Sequence, residues 1–445
     1  MVNRKAISWG VAVAALLGSA LPSLAQNAPK APTFVQLKGD VMGALYMPAD
    51  GSAPTVGIIV MHRESNYMAN IACPEFAKRG FAALCMNSSF HNNESSVDWE
   101  KIPLDVAQGV NYLRSLPGLT KVALYGNSGG GVTMSFYQAV AENGGSVCQG
   151  AGKLIQCDPD KLKGLTPADA IIITDGHPGN PILRLRSLNP ALSADLEGKV
   201  ADASLDPYDP KNGYKSDGSS TYSEDFKKRY FEGQAKRMNG LIELAQKQLA
   251  DIKAGKSFYS DDAPFSIPGF DGGRLQSLDL SIRHTTIEPV KFLKNDGSVV
   301  TQTVESIAPP RPQLAKANKT FAEGARGGLT VKSFLSSNAI KSTDALDEKK
   351  IDLCSSNNST PCMLGQVKAP LLAAAMQGSF QNLIQEIELN YMSAKTADKE
   401  FIVVEGATTG ITPCDNCGQP KEAFSNVTKN FFDYAAKWIK QRVGA

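Results

Sequence analysis

The sharpest chemical signal in the chain is Gly126-Asn127-Ser128-Gly129-Gly130, which fits the pattern G-x-S-x-G. It follows the apolar segment 121–125, typical of a buried strand, and a helical segment begins near Gly130. Small residues let the chain turn tightly between strand and helix, and such a turn holds a serine hydroxyl above the sheet. The pattern predicts a nucleophile at Ser128. The alternative is a small-residue turn that serves only close packing.

The eight cysteines suggest disulfides rather than a metal site. We expect bonds within three pairs: Cys148 with Cys157, Cys354 with Cys362, and Cys414 with Cys417. The last pair could also be a zinc half-site or a redox pair, but no second C-x-x-C and no nearby histidine support zinc. The sequence leaves undecided whether Cys73 and Cys85 form a disulfide, because Cys85 lies in an apolar run and could simply be buried. No residue cluster predicts a metal or another cofactor.

Buried strands alternate with amphipathic helices around the Ser128 turn. After an early hairpin over 34–47, strands are predicted at residues 55–61, 81–86, 121–125, 168–174, 370–376 and 400–404. Helices are predicted at residues 71–79, 103–116, 222–253, 385–394 and 422–443. Strands that are apolar throughout are buried on both faces. The pattern therefore predicts an α/β fold with a mostly parallel sheet and helices on both faces.

The alternation stops between the fourth and fifth of these buried strands. Residues 179–366 are polar and rich in loops, with one long helix candidate. We expect a core formed by residues 26–178 and 367–445, with 179–366 as a cap or lid inserted into it. The lid should cover the carboxyl ends of the strands, because ligand sites of open parallel sheets lie there.

The order and spacing of these segments resemble the α/β-hydrolase superfamily. The resemblance rests on the strand 56–61 leading into His62-Arg63, the run 104–131, and Glu405-Gly-Ala-Thr-Thr-Gly410 after the last strand. It implies Ser128 as nucleophile, with the backbone N–H groups of Gly129 and Arg63 as oxyanion donors.

The chain departs from this superfamily at the position of the catalytic base. A histidine is required after the last strand, where the sequence places Thr409, and a threonine cannot accept the serine proton at neutral pH. The usual acid position, in residues 376–382, also lacks a carboxylate. In the superfamily's strand order, His177 and His62 end strands next to the Ser128 strand. We therefore predict His177 with Asp175 as base and acid. His62 is the second base candidate, and it is also placed with Gly129 and Arg63 among the oxyanion or binding residues. Each histidine could instead be a loop residue bonded to backbone.

The N-terminal residues and the net charge indicate where the protein is located and which class of partner it lacks. Arg4 and Lys5, the apolar stretch 6–20 and Ser23-Leu24-Ala25 predict a signal peptide over residues 1–25, with Gln26 as the first mature residue. A retained anchor is the alternative, but the apolar stretch is short for a spanning helix. Without Arg4 and Lys5, 44 basic residues face 44 acidic ones. This balance argues against nucleic acid as a partner.

Two functions stay open. One is an exported hydrolase, secreted or periplasmic, that cleaves small-molecule esters or related acyl compounds through Ser128. The other is a catalytically impaired relative that binds a ligand under the lid. The intact turn around Ser128 favours the first, and the missing histidine favours the second.

Overall fold

The computed structural model of the protein describes residues 31–93, 95–270, 273–309 and 328–444. The predicted signal peptide lies outside these residues. The strands within them are β1 (Thr33–Gln36), β2 (Met42–Tyr46), β3 (Val56–His62), β4 (Ala82–Asn87), β5 (Lys121–Asn127), β6 (Ala170–Thr174), β7 (Pro264–Ser266), β8 (Val290–Leu293), β9 (Val299–Gln302), β10 (Gly328–Thr330), β11 (Leu371–Met376) and β12 (Lys399–Val404).

The main sheet has the strand order β1-β2-β4-β3-β5-β6-β11-β12-β8-β9. Strands from β4 through to β8 in this order pair in parallel, and the hairpin β1–β2 at one edge pairs antiparallel with β4. Every residue of β3, β4, β6 and β11 is buried. Strands buried on both faces read as continuous apolar runs. The predicted fold class, a mostly parallel α/β sheet, is confirmed.

Helices cover both faces of this sheet. The helices of the described residues are α1 (Ala72–Ala77), α2 (Ile102–Ser115), α3 (Gly129–Asn143), α4 (Asn180–Ser187), α5 (Glu224–Lys253), α6 (Val331–Ser337), α7 (Thr360–Leu364), α8 (Ile384–Ser393) and α9 (Val427–Val443). Of these, α4, α5 and α6 pack in the core of the insertion rather than on the sheet. Side chains of α2 and α3 share one apolar cluster with the sheet, and those of α1 and α9 share another.

The last helix begins later than predicted. A 3₁₀ turn over Lys421–Phe424 precedes it, and α9 starts only at Val427. Asn426, which separates the two, is held from outside the helix. Its backbone N–H donates to Asn295 Oδ1 at 2.9 Å and its side chain donates to Asn295 O at 3.2 Å. These bonds replace the helical ones that an uninterrupted helix would make.

The inserted segment has its own apolar core, built around the buried face of α5. It also contributes β8 and β9 to the main sheet, which the sequence analysis did not predict. All four residues of β9 are exposed, and β8 is buried only at Phe292 and Leu293. Strands with few buried positions carry no continuous apolar signal, which is why the pattern missed β8 and β9.

Four disulfides close short segments of the chain. The three predicted bonds, Cys148–Cys157, Cys354–Cys362 and Cys414–Cys417, are confirmed, and Cys73 is bonded to Cys85. Such bonds persist in oxidising compartments. Among the helices that the structure describes, none combines the length and the apolar character that crossing a membrane requires.

A buried carboxyl joins the insertion to the core. Glu100, in the 3₁₀ turn Trp99–Lys101 before α2, accepts hydrogen bonds from Ser336 Oγ and, at 2.9 Å, from Asn357 Nδ2. Burial raises the pKa of the Glu100 carboxyl to about 7, although both hydrogen bonds favour the charged form. The ionised carboxylate is therefore a cost to the folded state.

We expect this contact to make stability depend on pH. The folded pKa lies above the ordinary value, so the contribution of Glu100 is complete below about pH 4.5 and is lost as the pH rises through about 7. Glu100→Gln, which cannot ionise, should remove this dependence, worth about 3 kcal/mol in total. Urea unfolding at pH 5 and pH 8 measures it. Glu243→Gln, an exposed site on α5, is the control, and equal slopes for Glu100→Gln and wild type would contradict the expectation.

Candidate active site

Ser128 occupies the turn between β5 and α3 in a strained backbone conformation. Its φ is 53° and its ψ is −121°, a combination that non-glycine residues rarely adopt. Its backbone N–H donates to Thr174 O at 3.0 Å, which fixes the turn against the end of β6. Strain of this kind costs about 1–3 kcal/mol and persists where the surrounding structure enforces it.

Glycines make this turn sterically possible. A Cβ on Gly126 would lie 2.2 Å from Gly130 O, and one on Gly130 would lie 2.7 Å from Met61 O. A Cβ on Gly131 would lie 3.0 Å from the Cα of Gly176, in the loop after β6. A larger residue at any of the three positions would push α3 away from the strands. The small residues that predicted the turn are thus required by its geometry.

Asp175 directly follows β6 and is fully buried. Its Oδ2 accepts hydrogen bonds from Ser379 Oγ at 2.7 Å, Thr409 Oγ1 at 2.7 Å and Asn382 Nδ2 at 3.1 Å. Burial raises the pKa of the Asp175 carboxyl to about 6, although these three donors act in the opposite direction. The carboxyl therefore sits where the ends of β6, β11 and β12 meet.

Thr409 stands close to the Ser128 turn. Asn127, the residue before the serine, donates from Nδ2 to Thr409 O at 2.9 Å. The Thr409 hydroxyl faces Asp175, so the loop after the last strand brings to the acid a group that donates a hydrogen bond but cannot take up a proton at neutral pH. The arrangement is that of an acid and its oriented partner, with a hydroxyl in place of an imidazole.

The structure does not bring His177 to Asp175. The three side-chain donors to the carboxylate are those of Ser379, Asn382 and Thr409, while His177 Nδ1 accepts from Gly179 N–H at 3.2 Å. A triad histidine needs its Nδ1 as a donor to the acid. The role of His177 as base stays a prediction, and it requires the ring to leave this hydrogen bond.

The other histidines also bond to backbone. His62 Nδ1 accepts from Ser65 N–H at 3.2 Å. His91 Nδ1 contacts Ser88 O at 3.2 Å, and His284 Nε2 contacts Gln276 O at 2.9 Å within the insertion. Each of the four histidine rings thus makes a hydrogen bond to the backbone through one ring nitrogen.

Arg63 and His62 cover Gly129, the first residue of α3. A Cβ on Gly129 would lie 2.1 Å from Arg63 Nη1 and 2.4 Å from His62 Nε2, so a larger residue there would have to displace both side chains. The predicted oxyanion residues Gly129 and Arg63 are therefore neighbours. In the residues that the structure describes, no cluster of histidine, cysteine or acidic side chains could hold a metal ion.

Ser379 and Asn382 were not predicted as site residues. Both follow β11, at the position where the superfamily resemblance placed an acid and the sequence shows none. Neither side chain carries a charge, so nothing in the sequence marked them as functional. The adjacency of β6 and β11 in the sheet is the feature that assigns them to Asp175.

The sheet order and the turn together decide the fold. An antiparallel hairpin edge is followed by parallel strands, and the strained serine links β5, in the middle of the sheet, to α3. The chain has the α/β-hydrolase fold. Ser128, Asp175 and Thr409 lie in the loops that follow β5, β6 and β12. Ligand sites of open parallel sheets lie at these carboxyl ends of the strands.

Comparisons with known proteins give only distant matches, and these are to solved structures. No described protein family and no curated protein matches the chain. Similar solved structures include Est1E from Butyrivibrio proteoclasticus, with 9% identity, a TM-score of 0.41 and coverage of 94% of this chain and 100% of that one. Another is the α/β hydrolase GrgF from Penicillium sp. sh18, with 11% identity, a TM-score of 0.43 and coverage of 93% and 99%. No residue role is transferred from them.

The close packing at the Ser128 turn predicts how strongly one added methyl group, on Gly126, would destabilise the protein. Gly126→Ala should destabilise the protein by about 3 kcal/mol, because the new Cβ meets backbone that cannot rotate away. Gly152→Ala is the matched control, since nothing lies within 4 Å of its Cβ position. Urea unfolding of both variants measures the difference. Equal stability would mean that α3 can shift freely and that the turn is not a fixed element.

Proposed function

We propose that the protein is a carboxylic-ester (acyl) hydrolase, with Ser128 as nucleophile and a small-molecule ester as substrate. The observation that carries this proposal is the strained conformation of Ser128 between β5 and α3. A packing turn has no need of a serine at φ 53°, since glycine would adopt it without strain. Strain kept at one hydroxyl above the strand ends supports a nucleophile.

The chemistry follows from the groups around Ser128. Its Oγ attacks the ester carbonyl carbon, and the π electron pair moves to the carbonyl oxygen. Backbone N–H groups of Gly129 and Arg63 would stabilise this oxyanion. The alcohol then leaves with a proton, and water releases the acid from the acyl-enzyme.

Removal of the proton from the Ser128 hydroxyl is the step of this reaction for which the site supplies no evident base. Thr409 cannot accept it, and His177 and His62 present Nδ1 to backbone N–H groups. Until one of these rings turns, the proton passes to water, which is a poor base at neutral pH. We therefore propose slow turnover, with His177 first and His62 second as the residues that could serve as base.

A second candidate function is a ligand-binding relative without turnover. The hydrogen bond of 2.7 Å from Thr409 Oγ1 to Asp175 Oδ2 favours it, because the acid is kept and oriented while the base is absent. The insertion would then enclose a ligand above Ser128, as the predicted lid. For either function we propose export to the periplasm or the medium, in keeping with the four disulfides.

Thr409→His should separate the two functions. The imidazole would take the place of the hydroxyl next to Asp175, and a positioned general base contributes about 10²–10⁴-fold. We expect an increase of this order in the hydrolysis of a short nitrophenyl ester. Thr408→His is the matched control, because the Thr408 hydroxyl faces Thr412 rather than Asp175.

Three further variants complete this experiment. Ser128→Ala should abolish both the gained activity and labelling by a fluorophosphonate, and Asp175→Asn should remove most of the gain. His177→Ala in the wild-type background tests the first base candidate. If wild type and Thr409→His are equally inert and Ser128 is never labelled, the hydrolase proposal is wrong and the binding function stands.

A further inference from the structure

His62 has a defined tautomer in this fold. Its Nδ1 accepts hydrogen bonds from the backbone N–H groups of Glu64 and Ser65, at 3.4 Å and 3.2 Å. Glu64 Oε2 lies farther from Nδ1, at 3.7 Å. An atom that accepts carries a lone pair, so the neutral ring bears its proton on Nε2. The ring is 7% exposed and packs against Tyr67, with centroids 5.2 Å apart. Burial and these contacts hold the ring in place.

The Nε2 end of His62 reaches the Ser128 turn. Both His62 Nε2 and Arg63 Nη1 lie within 2.4 Å of the position that a Cβ on Gly129 would take. The two nitrogens are therefore less than about 4.5 Å apart, on the same side of Gly129. Gly129 also carries the backbone N–H that follows the nucleophile, so three N–H groups lie around one residue.

The guanidinium of Arg63 is held in a fixed orientation. Its Nε pairs with Glu64, and its Nη2 donates to Asn180 Oδ1 at 3.2 Å. Arg63 is 6% exposed, and its backbone oxygen accepts a hydrogen bond from Ser88. With one edge bound to Glu64 and another to Asn180, the planar group directs Nη1 toward Gly129.

We propose that His62 Nε2–H and Arg63 Nη1–H act as side-chain donors to the oxyanion formed at Ser128, beside the backbone N–H of Gly129. His62, the second base candidate of the proposed function, would then serve as a donor, which leaves His177 as the base candidate. The proposal rests on the proposed function: as the Ser128 Oγ–carbon bond forms, the carbonyl π pair becomes the oxyanion that these donors receive, and the serine proton leaves to solvent. Hydrogen-bond donors that are already in position often make the largest single contribution to catalysis. A cationic donor such as the Arg63 guanidinium suits a site without a histidine base.

The first test needs no activity. In protein labelled with ¹⁵N-histidine, long-range proton–nitrogen spectra distinguish Nε2–H from Nδ1–H tautomers. The chain has four histidines, so loss of one signal set in His62→Gln identifies that of His62. We expect the Nε2–H tautomer in neutral solution. An Nδ1–H tautomer would overturn the proposal, whatever the activity of the protein.

The second test separates a donor from a base. Glutamine can place an N–H where His62 Nε2 lies but cannot take up a proton, and leucine can do neither. We expect the second-order rate constant for labelling of Ser128 by a fluorophosphonate to fall about 10²-fold in His62→Leu. His62→Gln should keep most of it, and Arg63→Met should fall further than Arg63→Lys. His91→Gln, a change at a histidine bonded to Ser88, is the control.

The outcomes exclude one another. If His62→Gln is as slow as His62→Leu while thermal unfolding shows both folded, His62 is not a donor and the proposal fails. If His62→Leu labels at the wild-type rate, it fails as well. The same His62 and Arg63 variants are also made in the Thr409→His background, where we expect faster labelling of Ser128 and therefore differences that are easier to measure. If Ser128 is unreactive in both backgrounds, the proposed hydrolase function fails, and the tautomer still decides where the His62 proton lies.

Discussion

The left-handed backbone at Ser128 is the constraint around which the rest of the site is built. A φ of 53° is tolerated only if strand and helix hold the residue from both sides. Close approach of α3 demands Gly126 at the end of β5, Gly130 against Met61 O of β3, and Gly131 against the loop after β6. The parallel core, buried on both faces, supplies the rigidity that keeps the strain in place.

The buried carboxyl of Asp175 is the second fixed point, and it binds the sheet ends together. Three strand ends contribute to it, since β6 supplies the acid, β11 is followed by Ser379 and Asn382, and β12 is followed by Thr409. A buried charge is tolerated only when hydrogen-bonded, and a pKa near 6 shows that even three donors offset burial incompletely. The network therefore fixes the loop that carries Thr409 as firmly as it fixes the acid.

The sequence predicted elements whose signal is local and missed those that depend on pairing. The Ser128 turn and the buried strands are marked by neighbouring residues, and the Cys148–Cys157 and Cys354–Cys362 bonds join residues 9 and 8 apart. The contacts of Asp175 with Ser379 and Thr409 join residues 204 and 234 apart. Such contacts follow from strand order, which no periodicity encodes. The last two strands of the sheet, β8 and β9, were missed for the related reason that few of their side chains are buried.

Thr409 shows how a scaffold can keep its architecture while its chemistry changes. The loop after β12 must offer Asp175 a hydrogen-bond donor, because a buried carboxylate that loses a donor costs about 1–3 kcal/mol or more. A threonine hydroxyl meets that structural demand as well as an imidazole N–H does. In the proposed hydrolase it does not meet the chemical demand for an acceptor of the Ser128 proton. The two demands are separable at this position, so the acid, the strained serine and the donors around Gly129 can all persist without the base that would join them.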